Sequence, residues 1–465
     1  MSFFICHWSF VICRRAAASV ARSWACAMHT DTTQAPLDTV ETLALRYPDI
    51  PVEAIFKEDI LRRGMAWSRG ALEIAAGYKP KAYFIFSFDL VPIAEMRQGE
   101  NTKAPEEIRL VGGPYDFKPV IVSVRLNPSS PYRVEKGDEG SLLMKLDGQV
   151  VAAVELQKAP SYYHRTLANG KPIMDIAPTI EWGYLLYLTV FRLCQYFGAQ
   201  EECQFCDINE NYRQQRKAGR PYTSVKSVEE ILEALEIIAS TDSDSKAYTV
   251  TGGSITSTLE DKSEIDFYAR YPEAIEKRFP GRWIGKVVIQ ALPKDQVQRL
   301  RDAGTKIYHP NYEVWDRRLF EIICAGKNRH IGRDEWIRRI LDAADVFGPG
   351  NVIPNFVAGI EMSKPAGFAT VDEAIASTSE GLDFFMSHGV SPRFTTWCPE
   401  PLSVLGRTQA GAPLEYHVRL LRAYRDTRAR YGLKPPQGYG QPGLGNAVFS
   451  VSSFMDVLPP AAAVQ

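Results

Sequence analysis

Two spacings of apolar residues divide this chain. Over residues 119–126, 141–146 and 149–156 the apolar positions alternate with polar ones or run together in short stretches, the period of β-strands. Asp147-Gly148 stands between the last two, and such a pair tolerates the positive φ angles of a tight hairpin turn. Ahead of them, residues 52–76 carry apolar side chains at helical spacing and residues 82–90 read as a strand. From residue 184 the pattern changes: 184–191 is one apolar, β-branched and aromatic run, the profile of a buried strand. Amphipathic and apolar segments then take turns. Helices are predicted over 228–238, 265–279, 295–303, 333–347, 371–388 and 414–431, and strands over 247–251, 286–291, 306–309, 352–357 and 393–397. Strands separated by helices build βα units on a parallel sheet. Six units in about 220 residues suit a partial (β/α)6 barrel better than a complete eightfold one. The expected fold is therefore α/β: an N-terminal α+β domain over 38–178, the partial barrel over 179–410, and a C-terminal helix with a capping tail over 411–465. The tail is rich in Gly and Pro after Pro435, with one last strand expected near 446–451.

Composition adds mainly exclusions. A 465-residue chain with 45% hydrophobic and 23% charged residues is an ordinary globular protein with room for two or three domains. Its net charge of −1 provides no field for nucleic acid or an anionic membrane. No apolar run reaches the ~18 residues of a transmembrane helix. Residues 1–27 lack Asp and Glu, carry Arg14, Arg15 and Arg22, and place an apolar run before the basic pair. A secretory signal has the opposite order. A transit peptide, or a start called too early with Met28 as the true one, is expected instead, and residues 1–37 are left out of the fold. The eight cysteines show no disulfide-like spacing, which fits a reducing compartment such as the cytoplasm.

Three of those cysteines carry the chemistry. Cys194, Cys203 and Cys206 follow the strand at 184–191, with eight residues and then two between them. The Cys-x-x-Cys turn keeps two thiols close, and a short loop returns the third. No fourth Cys or His is near in sequence to complete the four-ligand set of structural zinc. Three thiolates point instead to an iron–sulfur cubane with one iron left open. A partial zinc knuckle and unrelated core cysteines are the other readings.

A strand running into three cysteines, the last pair written Cys203-Gln204-Phe205-Cys206, resembles the radical S-adenosylmethionine (radical SAM) superfamily. The first spacing is eight here where three is usual, an expansion found in some branches. The resemblance implies that the open iron of a 4Fe–4S cluster chelates the amino and carboxylate groups of S-adenosylmethionine. It also implies an electron donor such as flavodoxin or ferredoxin, and cleavage to a 5′-deoxyadenosyl radical. Further along, Thr251-Gly252-Gly253 resembles the glycine motif whose backbone binds the methionyl amino group, although Ser254 stands where Glu is usual. The stretch 302–313, with Ala303-Gly304 ahead of a strand and then Asn311-Tyr312-Glu313, is similar to the biotin-synthase-like branch. An amide and a carboxylate two residues apart on an extended segment point the same way, and by resemblance Asn311 and Glu313 would bind the ribose or methionyl part. The resemblance further assigns Arg338, with Arg333 a weaker match, to the S-adenosylmethionine carboxylate. It sets Gly359 against the adenine, and Pro399-Glu400-Pro401-Leu402 matches a proline-rich turn of the same branch. It covers about 180–410 and leaves the first domain unexplained.

What is missing narrows the reaction. Cys324 and Cys398 are too few for the sacrificial cluster of sulfur insertion. The cysteine-rich extension of many peptide-modifying members is absent, and no Asp-x-His-x-x-Gly motif for cobalamin occurs. The expectation is an enzyme with one cluster that abstracts hydrogen from a small-molecule substrate, held close to the radical and away from water. No side chain is singled out as catalytic. Modification of a peptide recognised by residues 38–178, or a non-enzymatic iron–sulfur or zinc protein, are the alternatives. Ser161-Tyr162-Tyr163-His164-Arg165 reads as a polar linker with buried aromatics rather than a substrate contact.

Overall fold

The computed structural model describes residues 39–82, 88–91, 104–217, 219, 224–443 and 445–460. Most of the strand expected at 82–90 therefore lies outside the described residues. Helices α1 (Val40–Arg46) and α2 (Val52–Arg63) come first. The single helix expected over 52–76 breaks at Gly64, whose φ of 67° belongs to the left-handed region that glycine tolerates. A Cβ there would lie 2.7 Å from the carbonyl oxygen of Arg125, so the break also serves packing. A short strand β1 (Ala66–Trp67) follows, and then α3 (Arg69–Ala75), whose first turn is capped by the hydroxyl of Ser68.

Strands β2 (Glu107–Gly112), β3 (Phe117–Ser123), β4 (Tyr132–Lys136), β5 (Leu142–Leu146) and β6 (Gln149–Leu156) join β1 in a six-stranded sheet of order β1-β4-β5-β6-β2-β3. Pairing is antiparallel except for β1 with β4. Asp147 and Gly148 turn the β5–β6 hairpin with φ of 47° and 84°. Tyr162 and Tyr163 are buried, and the Tyr163 hydroxyl accepts a hydrogen bond from the Thr179 amide at 2.9 Å.

After α4 (Ile173–Ile176) and the two-residue strand β7 (Thr179–Ile180), the barrel begins with β8 (Leu185–Phe191). The chain then runs through α5 (Ile208–Lys217), α6 (Val228–Thr241), β9 (Ala247–Gly252), α7 (Glu264–Arg278), β10 (Ile284–Ile289), α8 (Lys294–Asp302) and β11 (Ile307–Pro310). Three helices follow, α9 (Arg317–Ile323), α10 (Ala325–His330) and α11 (Arg333–Phe347), before β12 (Asn355–Ala358), α12 (Val371–Ser387), β13 (Arg393–Thr396) and α13 (Leu414–Arg430). Strands β8 to β11 pair in parallel in chain order, as do β12 and β13. Parallel bridges Tyr308–Val352 and Glu313–Phe356 join the two groups. Six parallel strands with helices between them make the expected partial (β/α)6 barrel. Among the described residues no pairing joins β13 back to β8.

That gap is filled from both ends of the chain. Strand β7 pairs antiparallel with β8, and the Glu107 carboxylate on β2 accepts hydrogen bonds from the amides of Glu181 and Trp182 at 2.7 and 2.9 Å. Buried Arg125 donates to the carbonyls of Leu61 and Thr396, each at 2.7 Å. The expected strand at 446–451 does not form as such. Instead, the Ser123 amide donates to the Ser450 carbonyl at 3.0 Å and the Thr396 amide to the Val451 carbonyl at 3.1 Å. The tail is thus wedged between β3 and β13 with one backbone hydrogen bond to each, and the Ser452 hydroxyl adds a bond to the Phe394 carbonyl at 2.6 Å. One apolar core runs through the N-terminal sheet and the barrel. No helix among the described residues is long and apolar enough to cross a membrane.

Candidate active site

The three cysteines lie on the loop between β8 and α5, where a parallel barrel gathers its chemistry at the strand C-termini. Cys206 closes the Cys-x-x-Cys turn by donating its amide to the Cys203 carbonyl at 3.0 Å. Buried Asn209 staples the loop: its Oδ1 accepts the Cys194 amide at 2.9 Å, and its Nδ2 donates to the carbonyls of Cys194 and Tyr196 at 3.1 and 3.0 Å. The eight-residue expansion is lashed down too. Gln195 Oε1 accepts the amides of Thr256 and Ser257 at 2.8 and 3.0 Å, and Gly326 donates its amide to the Glu201 carbonyl at 3.1 Å. All three thiols line one cavity of about 250 Å³.

The electrostatics of the thiols differ. Burial pushes the Cys194 thiol up to about 12, and burial together with Asp207 raises Cys206 well above the ordinary thiol range. Cys203 is held low by a hydrogen bond from the neighbouring Cys324 thiol, which is itself raised by burial. Thiols in so apolar a place ionise when a metal takes the proton's place. Among the described residues no three His, Cys, Asp or Glu side chains converge on a point that could hold one metal ion. A polynuclear cluster asks only that three thiolates share a cavity, each on its own metal, and the donor set fits that demand.

Four of the other residues singled out in the sequence come to the same cavity: Gly252, Gly253, Asn311 and Glu313. The glycines have a local reason to be there. A Cβ on Gly253 would lie 2.0 Å from the Leu193 carbonyl oxygen and 2.4 Å from Cys194 Cα, and one on Gly252 would lie 2.5 Å from the Phe191 carbonyl oxygen. The end of β9 thus passes directly under the cysteine loop. Asn311 Oδ1 accepts the Asn355 amide at 3.3 Å. Glu313 sits at φ 80°, a conformation that costs a non-glycine residue free energy, and its carboxylate pairs with Lys327 at 2.6 Å.

Arg338 and Gly359 are not brought to the cavity. Arg338 is 57% exposed on the outer face of α11, where its guanidinium pairs with Glu335 and Asp342. The helix phase that puts Trp336, Ile340 and Ala343 into the core turns position 338 to solvent. Arg333 is also engaged elsewhere, donating to the Trp315 carbonyl at 3.0 Å. Gly359, at φ 99°, packs against Ala412, and its amide donates to buried Glu361 at 2.9 Å. A basic group that does line the cavity beside these residues is Lys327 on α10, which also donates to the Asn311 carbonyl at 2.8 Å. Burial opposes its charge, but Glu313 and the cysteines raise its pKa above the ordinary lysine value. Sequence reasoning missed it because the ligand pattern it completes is assembled from β11 and α10. The N-terminal unit contributes as well, through Phe88, Glu106, Glu107 and Ser123 on the cavity wall.

No family model and no curated protein matches this chain. Among solved structures it is similar to methylornithine synthase, at 13% identity and a TM-score of 0.40, over 61% of this chain and 74% of that one. It is similar to HydG, a maturase of the FeFe-hydrogenase, at 14% identity and a TM-score of 0.40, over 53% of this chain and 50% of that one. A third likeness, at 11% identity and a TM-score of 0.34, covers 58% of this chain and 61% of coproporphyrinogen III oxidase from Escherichia coli, which is described as a radical SAM enzyme.

Proposed function

We propose that this protein is a radical SAM enzyme acting on a small molecule, with a 4Fe–4S cluster held by Cys194, Cys203 and Cys206. The observation that carries this reading is the convergence of three thiols, at the end of the first strand of a partial (β/α)6 barrel, on one cavity that Gly252, Gly253, Asn311 and Glu313 also line. When bound, such a cluster supplies one electron to the sulfonium of S-adenosylmethionine and so a carbon radical able to take hydrogen from a substrate. The chain's own residues do the rest. The β9 glycines let the cysteine loop close over the strand end, and Asn209 fixes the position of Cys194. Lys327 places a buried positive charge beside Cys203, which favours an anionic cluster. Glu313 and the Asn311 amide are the groups proposed to meet the hydroxyls or amino group of S-adenosylmethionine. Residues from the N-terminal sheet and the tail wall the open side of the barrel, which excludes water and favours a small substrate over a folded one. A flavodoxin or ferredoxin is the proposed electron donor.

The test is anaerobic purification of the full chain. The protein should carry about four irons per chain, lose them in C194A, C203A and C206A, and release 5′-deoxyadenosine from S-adenosylmethionine when reduced. One tightly bound zinc per chain and no iron would overturn the proposal.

A further inference from the structure

Away from the cysteines, the cavity wall carries a second set of polar groups that the proposed function does not use. Glu181, His309 and Arg393 line the cavity. Each leaves a buried polar atom without a hydrogen-bond partner: Oε2 of Glu181, Nε2 of His309 and Nε of Arg393. Glu181 and His309 are 2% and 1% exposed. Native proteins satisfy nearly all such atoms because each orphan costs about 1–3 kcal/mol. Three on one wall point to a ligand.

The surroundings define the ligand's chemistry. His309 Nδ1 lies 2.8 Å from the Ile353 carbonyl oxygen. A carbonyl only accepts, so Nδ1 carries the proton and Nε2 of the neutral ring is a bare acceptor. Burial, with Arg393 and Lys286 adding to it, holds the ring neutral by pulling its pKa well below the ordinary value. Arg393 donates through Nη1 to the Tyr439 hydroxyl at 3.0 Å, and its guanidinium stands 5.6 Å from that ring. Lys286 lies behind it, 4.0 Å over the same ring, with its ammonium on the Gly438 carbonyl. Among the described residues neither cation has a carboxylate within ion-pair distance, and neither does Glu181 have a cation. The cavity's Glu107 and Glu313 are already paired with lysines. Glu181 and Trp182 both adopt left-handed backbone, at φ 54° and 55°, held there by the Glu107 carboxylate. Such strain in non-glycine residues concentrates at functional sites.

We propose that this wall is the substrate subsite for a small amino acid or 2-hydroxy acid. Arg393, backed by Lys286, takes the carboxylate; Glu181 and His309 Nε2 take the hydrogens of the amino or hydroxyl group. Half-buried Arg393 and fully buried Lys286 both act on Glu181 without forming an ion pair, so the anionic group of a ligand would meet unpaired positive charge here. Burial pushes the Glu181 carboxyl up to about 7, against the lowering influence of the two cations, so a ligand ammonium would stabilise its ionised form. This inference rests on the radical SAM reading for the reaction but not for the binding.

Isothermal titration calorimetry on the full chain tests it. The panel is the proteinogenic L-amino acids, their 2-hydroxy analogues, the matching amines, the amino-acid amides and the N-acetyl amino acids. At least one free acid should bind, and its amine and amide should not. R393Q and E181Q should weaken that binding about tenfold or more, with iron content and S-adenosylmethionine binding retained. If R393Q does not fold, R393K, which keeps the charge but loses the planar fork, supplies the measurement. Binding of no acid in the panel, equal binding of amines or amides, or unchanged affinity in E181Q, H309Q and R393Q would overturn the inference. A preference for N-acetyl acids would assign the wall to a peptide terminus and overturn it too. Protein that cleaves S-adenosylmethionine yet ignores the panel refutes this inference alone. Protein that binds an acid but no iron refutes the radical SAM reading alone.

Discussion

Gly253 is where one methyl group should separate the cysteine loop from its strand. A Cβ at this position meets the Leu193 carbonyl oxygen at 2.0 Å, Cys194 Cα at 2.4 Å and Cys194 Cβ at 2.6 Å. All three atoms belong to the backbone or root of the loop, so no side-chain rotation relieves the overlap. The loop is pinned against retreat by the Asn209 carboxamide on the Cys194 amide at 2.9 Å and by the Gln195 amide on Ser254 at 2.9 Å. Overpacking of this kind costs about 1–3 kcal/mol, and contact with fixed atoms puts Gly253→Ala at the upper end. Relief must come from moving Cys194, and misplaced ligands bind metal weakly. The assay pairs urea unfolding of the metal-free chain with iron per chain after identical anaerobic reconstitution. Gly253→Ala should be destabilised by about 2–3 kcal/mol and hold less than half the wild-type iron. Gly70→Ala is the control: it lies in the first turn of α3, and its Cβ would meet only Lys136 side-chain atoms at 3.5 Å. It should be neutral or slightly stabilising. A Gly253→Ala protein with full iron and the stability of the control would refute the close approach argued here.

Two further outcomes follow from buried charge. Lys327→Met strands the Glu313 carboxylate, since the two side chains are only 9% and 7% exposed; breaking such a pair costs about 3–5 kcal/mol. Adding Glu313→Gln should recover part of that loss in thermal melts, and a single variant as stable as wild type would contradict the pairing. Lys226 is buried with its ammonium on the Ile176 carbonyl at 2.9 Å, and burial, then Arg192, pulls its pKa down to about 7. In the unfolded chain it titrates near its ordinary value of about 10.4. Between these limits the unfolded state binds more protons, so stability rises with pH. Lys226→Met removes this slope, and the gap between variant and wild type in urea midpoints should shift in favour of wild type from pH 7 to pH 9, by at most roughly 1.4 kcal/mol per pH unit. A gap independent of pH would show that the ammonium stays charged in the folded state.

Much of the architecture was written in local patterns. The apolar run before Cys194, the alternation of strand and helix after it and the Asp147-Gly148 turn each depend on neighbours a few residues away, and each forms where that spacing implies. The placement of Asn311 and Glu313 on one side of an extended segment was local too, and both face the cavity. Other features needed the folded chain. Residue 338 could be assigned a charge but not a direction, and the phase of α11 turned it to solvent while α10 brought Lys327 to Glu313 across fourteen positions. Glu107 reads as an ordinary polar position on a strand, yet its carboxylate organises the backbone of Glu181 and Trp182 some seventy-five positions later. The last stretch of the tail has strand-like composition but lies between β3 and β13 as a wedge, because only a gap left by two distant elements gives it partners. Spacing along the chain determines which groups exist and which local shapes they prefer. Which of them share a cavity depends on hydrogen bonds and packing between segments whose separation no period records.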